Sequence, residues 1–244
     1  LHINGMVKFL NEGHVKKIAL CISLLFPLIA WSNTCEIQEV ALCKAADQGN
    51  EDALIMLGTL YYEGKGVKQD FKKTAQLISQ AALKGNARAQ TLLGAMYYEG
   101  KGVGQDYAEA AKWYKLAAEQ GYSMAQGQLA TLYYMGKGVP LDYQIASKWF
   151  MEAAEQGDSY SQALLGVMYY EGKGVDKDSK IAAKWLKKAS EQNNPKAHFI
   201  LGFLFLTGDG VRKNEALASK YFRKACDSGL QDGCHAYSKL SKKN

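Results

Sequence analysis

The strongest constraint on this chain is a glycine that returns every 36 residues. Gly49, Gly85, Gly121, Gly157 and Gly229 keep that interval, with Asn193 in the remaining place. Other residues recur in the same register: Ala53, Ala89, Ala125, Ser161 and Ala197, then Leu57, Leu93, Leu129, Leu165 and Leu201. Four residues after each Leu stands Tyr61, Tyr97, Tyr133, Tyr169 or Phe205. A Gly-x-Gly-Val element follows at 64–67, 100–103, 136–139, 172–175 and 208–211. Such self-similarity marks a repeat architecture, in which each unit buries its apolar face against its neighbours. Five units fill residues 50–229, with a capping half-unit at 33–49 before them and a capping helix at 230–244 after them.

Within a unit, the residues predict a helical hairpin. From Ala53 to Tyr62 the apolar residues Leu54, Leu57, Leu60 and Tyr61 fall at the helical period. Gly64 and Gly66 break that helix, because glycine takes positive φ at little steric cost. Asp70, Asp106, Asp142, Asp178 and Asn214 stand where a second helix would begin, a favoured N-cap chemistry. Ala81, Ala117, Ala153, Ala189 and Ala225 let that helix approach its neighbours closely. Trp113, Trp149, Trp185 and Tyr221 are expected to supply its bulk, with Leu77 in the first unit.

These residues resemble the Sel1-like repeat family, a relative of the tetratricopeptide repeats. The second unit, AQTLLGAMYYEGKGVGQDYAEAAKWYKLAAEQG, matches the family pattern almost fully. Leu77, Asn193 with Pro195, and Asp209 are local departures. The resemblance implies an all-α fold, a right-handed α-solenoid of helix-turn-helix repeats, whose first helices line a concave face.

The amino terminus predicts export. Lys16 and Lys17 precede an apolar run at 18–30, too short for a spanning helix, and Ala30-Trp31-Ser32 offers a cleavage site. Residues 1–32 therefore read as a signal peptide, with an uncleaved anchor or a buried helix as the alternative, Asn33 opening the mature chain, Met6 as an alternative initiator and the periplasm or the exterior as destination. Thr34 before Cys35 argues against lipid attachment, and no stable membrane insertion is expected after cleavage. Cys21 goes with the signal, leaving Cys35, Cys43, Cys226 and Cys234, and an even count in an exported chain favours disulfides. Cys226 stands late in a second helix and Cys234 early in the following helix, so a bond would tie the last hairpin to the terminal helix. That spacing resembles the cysteine-rich Sel1 proteins of Helicobacter and implies a Cys226–Cys234 bridge. Cys35–Cys43 lies in a different register, and buried free thiols are the alternative for both pairs.

Formal net charge is +6; three Lys and one Glu fall in the first 32 residues, and the remaining excess is spread along the chain. A nucleic-acid reader concentrates its basic charge on one face, so none is expected as a partner. No metal or other cofactor is expected, because His198 and His235 are the only histidines after residue 32. Ser159, Ser161 and Ser179 stand in no nucleophile motif, and the Gly-x-Gly pairs are turns rather than phosphate loops.

The expectation is thus a non-catalytic, monomeric scaffold binding a protein or peptide partner through its concave face. The columns expected to face solvent there begin with Asp52, Ile55, Thr59 and Tyr62, then Arg88, Thr91, Ala95 and Tyr98. They continue with Met124, Gly127, Thr131 and Tyr134, then Tyr160, Ala163, Val167 and Tyr170, and end with Lys196, Phe199, Phe203 and Leu206. Tyr62, Tyr98, Tyr134 and Tyr170 form a ladder suited to recognition or, alternatively, to packing between repeats. Packing under the terminal cap is the alternative for Phe199 and Phe203. Lys65, Lys101, Lys137 and Lys173 are expected to be simply solvated. Two other roles follow from the resemblance: a periplasmic immunity or regulatory protein blocking a secreted effector, and the β-lactam binding or hydrolysis linked to cysteine-rich relatives.

Overall fold

The computed structural model describes residues 40–242, and among these residues every regular element is an α-helix. The helices are α1 (Val40–Asp47), α2 (Glu51–Glu63), α3 (Phe71–Leu83), α4 (Ala87–Glu99), α5 (Tyr107–Glu119) and α6 (Ser123–Met135). Next come α7 (Tyr143–Glu155), α8 (Ser159–Glu171), α9 (Ser179–Glu191), α10 (Pro195–Thr207), α11 (Glu215–Asp227) and α12 (Gln231–Ser241). The expected signal at 1–32 and Cys35 lie outside the described residues. The chain forms two compact units, one ending at Gln105 and one beginning at Asp106. In the first, α1 packs on α2, α2 on α3 and α3 on α4; in the second, each helix from α5 to α12 packs on the next.

Capping residues fix every hairpin. Gly64, Gly100, Gly136, Gly172 and Gly208 end the first helices in the left-handed region, at φ between 65° and 82°. Asp70, Asp106, Asp142, Asp178 and Asn214 each accept a backbone N–H through the side chain at the start of a second helix. Asn50, Asn86, Asp158 and Asn194 do the same for first helices, a second set of caps in the 36-residue register.

The second glycine of each turn has a different task. A Cβ on Gly102 would lie 1.9 Å from the Phe71 carbonyl oxygen, at the start of the preceding second helix. On Gly138 it would lie 2.2 Å from Tyr107 backbone, and on Gly174 2.0 Å from the Tyr143 oxygen. The turns at Gly102, Gly138, Gly174 and Gly210 therefore rest on the helix start of the repeat before them.

The core differs by one residue from expectation. Ala81, Ala117, Ala153, Ala189 and Ala225 are fully buried, as small residues at a close helix approach should be. The deep bulk of the second helices is Ile78, Tyr114, Phe150, Leu186 and Phe222, all at most 2% exposed. Trp113, Trp149 and Trp185, one residue earlier, are only half-buried. The reason is the glycine after the repeat leucine: a Cβ on Gly166 would meet Leu186 Cγ at 2.7 Å, and one on Gly202 would meet the Phe222 ring at 2.5 Å. Removing that Cβ lets the deep side chain lie against the first helix.

Candidate functional site

The first helices sort the expected contact residues into three groups. Asp52 and Lys196 are exposed, while Arg88, Met124, Tyr160, Thr59, Thr131 and Val167 are half-buried with part of each side chain at the surface. Ile55 and Thr91 are each 1% exposed, and Gly127, Ala95 and Ala163 are buried as well, which corrects their placement as solvent-facing. The geometry at Gly127 gives the reason: a Cβ there would lie 2.8 Å from Ser161 Oγ on the following first helix. This column looks across to the next repeat. The column one residue later, with Met56 exposed and Leu92, Gln128, Leu164 and Ile200 half-buried, reaches the surface instead.

The tyrosine ladder is tied into packing between repeats. Tyr62 meets Phe71 edge-on at 5.2 Å, and Lys101 from the next turn donates from Nζ to the Tyr62 hydroxyl at 2.8 Å. Lys101 also pairs with Glu99 at 2.8 Å and lies 5.2 Å above the Tyr62 ring. Its ammonium is held above its ordinary pKa, chiefly by the hydrogen bond with Glu99 and then by Tyr62. The arrangement repeats lower down: Tyr134 meets Tyr143 at 5.2 Å, with Lys173 5.7 Å from the first ring and 5.6 Å from the second. Lys137 lies 5.1 Å from the Tyr107 ring. Lys101, Lys137 and Lys173 thus lie over aromatic rings rather than being simply solvated, whereas Lys65 stays exposed beside Glu63, as expected. The signal was present in the sequence. At Tyr170 the aromatic partner becomes Ser179 and the turn lysine becomes Asp209, so both halves of the clamp disappear together.

The last first helix ends in an aromatic cluster. Phe199 and Phe203 meet edge-on at 4.9 Å, and Phe203 meets Phe222 at 5.2 Å. Phe199 and Leu206 pack with Phe222 and Leu240 under the terminal helix. Phe203 is 43% exposed. A bridge joins Cys226 to Cys234 across the turn between α11 and α12, with Cα atoms 4.4 Å apart. Cys43 is a buried disulfide cysteine, and the pairing expected for it, with Cys35, falls outside the described residues.

His198 occupies a column that glutamine fills in the second, third and fourth repeats and Leu54 in the first. Gln90, Gln126 and Gln162 each donate from Nε2 to a carbonyl at the end of the preceding second helix, at 3.0–3.3 Å. His198 is buried, 6.1 Å from the Tyr221 ring, with Nδ1 lacking a hydrogen-bond partner. Burial, then the nearby Lys224 charge, holds its pKa below the ordinary 6.5. The unfolded chain therefore takes up this proton before the folded one, so stability is complete above about pH 6.5 and declines as pH falls below it. The melting point is expected to fall between pH 7 and pH 5.5, and by less in His198→Gln. Parallel thermal melts of the two proteins check this.

Among the described residues no group of three or more His, Cys, Asp or Glu could hold a metal ion, and no helix is long and apolar enough to cross a membrane. A family model described as the Sel1 repeat matches residues 51–86, 87–122, 123–158, 159–194 and 195–230. Among solved structures, a protective antigen of uropathogenic Escherichia coli with an SLR fold is 36% identical, with a TM-score of 0.79 over 82% of this chain. The present chain spans only 43% of that antigen. A Sel1 repeat protein of Oxalobacter formigenes is 33% identical, with a TM-score of 0.72 over 76% of each chain. An immunity protein of Pseudomonas aeruginosa, 22% identical with a TM-score of 0.50 over 83% of this chain and 77% of its own, shares the fold. No curated protein matches the sequence.

Proposed function

Because the chain belongs to the Sel1 repeat family, we propose that it serves as an exported, non-catalytic scaffold holding a partner protein or peptide against its first-helix face. Phe203 carries this reading. The same column holds Thr59, Ala95, Thr131 and Val167, small or β-branched residues, whereas Phe203 leaves a large ring 43% exposed. Its neighbours Phe199 and Phe222 hold that ring in edge-on contacts. A rigid, partly exposed aromatic with little rotamer freedom left to lose is the usual anchor of a protein interface. Tyr160, Val167 and Lys196 continue the surface towards it on α8 and α10. The Cys226–Cys234 bridge supports export to an oxidising compartment, the periplasm or the exterior, in keeping with the amino-terminal pattern.

The test is affinity capture from an envelope extract, with Phe203→Thr beside the unaltered protein. Loss of an interface anchor is expected to cost at least about 2 kcal/mol, roughly thirtyfold in affinity. Helicity should stay unchanged, since threonine already occupies this column in two other repeats, while loss of the edge-on contacts to Phe199 and Phe222 should lower the melting point by no more than a few degrees. Undiminished capture by the variant would count against the reading. Tyr98→Ala combined with Tyr134→Ala separates the ladder's roles: the packing of Tyr134 on Tyr143 predicts a lower melting point.

A further inference from the structure

Between α9 and α11, on the side formed by second helices, lies a groove of about 560 Å3. Its floor is apolar: Phe205 and Tyr221 stack at 5.5 Å with only 5° between their planes, and Leu201 beneath them is 2% exposed. One wall carries Lys180, Lys184 and Lys187, all exposed. Their i, i+4, i+7 spacing sets them in one row over about 10 Å of helix. Among the described residues none of the three forms an ion pair, although lysines elsewhere do. The lining of the groove includes no carboxylate.

Comparison with the other repeats makes the row specific. The three positions hold Lys72, Gln76 and Ser79 in the first repeat, Ala108, Lys112 and Lys115 in the second, and Gln144, Lys148 and Met151 in the third. They hold Ala216, Lys220 and Arg223 in the fifth. A groove of similar size beside α7 has Glu119 and Glu152 around Lys148, so its charge is mixed. Among the described residues, a groove beside α3 also joins aromatic rings, Tyr61 and Phe71, to lysines, Lys68, Lys72 and Lys73, but Asp70 stands among them, whereas the lining beside α9 sets its lysine row against an aromatic floor with no carboxylate.

The geometry points to a second docking surface here, one that takes an acidic segment of a partner protein with an apolar side chain on the Phe205–Tyr221 floor and carboxylates facing Lys180, Lys184 and Lys187. Charge complementarity selects the acidic partner, since three desolvated ammonium groups without counter-charges would oppose a neutral one. Recession of the floor selects a segment over a bilayer, because a flat membrane surface cannot reach a side chain as enclosed as Leu201. The surface is independent of Phe203, which does not line the groove.

The experiment uses the full chain and a fluorescein-labelled helical peptide with Glu at i, i+4 and i+7 and Leu and Phe on the adjoining face. Fluorescence anisotropy should show saturable binding that weakens with added salt. Replacing the three Glu with Gln, or reversing charge in the protein by Lys184→Glu with Lys187→Glu, should each weaken binding at least about tenfold. The lysine changes lie on exposed positions and should leave the melting point in place, while Phe203→Thr should bind the peptide normally. Equal binding of the Gln peptide, or unimpaired binding by the charge-reversed protein, would overturn the proposal. So would binding to phosphatidylglycerol vesicles with none to the peptide.

Discussion

Gly174→Ala is expected to destabilise the protein by about 3–4 kcal/mol, whereas Gly157→Asn at the preceding repeat boundary should cost less than about 1 kcal/mol. Both glycines have positive φ, +69° at Gly174 and +94° at Gly157. The difference lies in the space around them. Nothing stands within 4 Å of a Cβ built on Gly157, and Asn193 already holds the equivalent turn at φ 58°. At Gly174 a Cβ would lie 2.0 Å from the Tyr143 carbonyl oxygen and 2.3 Å from its carbon. These are backbone atoms at the start of α7 and cannot rotate aside. The turn would have to lift away, straining the Ser147 hydroxyl's 3.1 Å hydrogen bond to the Gly174 carbonyl. It would also draw Lys173 from the Tyr134 and Tyr143 rings. In a protein of this size the two variants should differ by roughly 10 °C in melting point. Equal melting points would mean that the turn shifts at little cost and does not clamp successive repeats.

The difference between these glycines also shows what could be read from the sequence. The hairpins could, because their caps and turns are local: Asp142 binds the Ile145 N–H three residues away, and Gly136 closes its helix on Leu132. Periodicity within one hairpin also located the buried leucines. It could not separate neighbours whose surroundings depend on the next repeat. Ile55 and Met56 are adjacent apolar residues, yet one is 1% exposed and the other 48%. The choice is made by the following first helix, which a helical wheel of the unit alone does not contain. The same limit hid the turn lysines. Lys101 meets Tyr62 across 39 residues, a contact that shows only when both columns are compared through all repeats. His198 was visible as an odd residue, but its chemistry depended on knowing that glutamines in its column hold carbonyls of the previous helix.

Replacing both Cys226 and Cys234 with alanine is expected to destabilise the carboxy-terminal hairpin by about 2–3 kcal/mol and to release α12 before the rest of the chain unfolds. The bridge joins residues eight apart, so its loop is short and the chain-entropy gain modest. Its effect is expected to be largest on α12, which among the described residues rests mainly on α11. That helix is 11 residues long, below the length at which isolated helices persist in water, and its N-cap Leu230 offers no side-chain hydrogen bond. It packs chiefly on α11, through Leu240 and the partly buried Ala236 and Tyr237 against Phe222, with Phe199 and Leu206 of α10 in the same cluster. The turn beside it is tight: a Cβ on Gly233 would lie 2.6 Å from Ala225 Cβ. Alanine substitution is preferable to a reductant because Cys43 is also disulfide-bonded and would be reduced with the others. Native-state hydrogen exchange should show the amides of α12 losing protection in the double variant while those of α7 to α9 keep theirs. With α12 released, Phe222, which Phe203 meets edge-on, loses its cover from Leu240. Unchanged protection in α12 would show that apolar docking alone secures the end of the stack, leaving the bridge no mechanical part in holding the Phe203 surface.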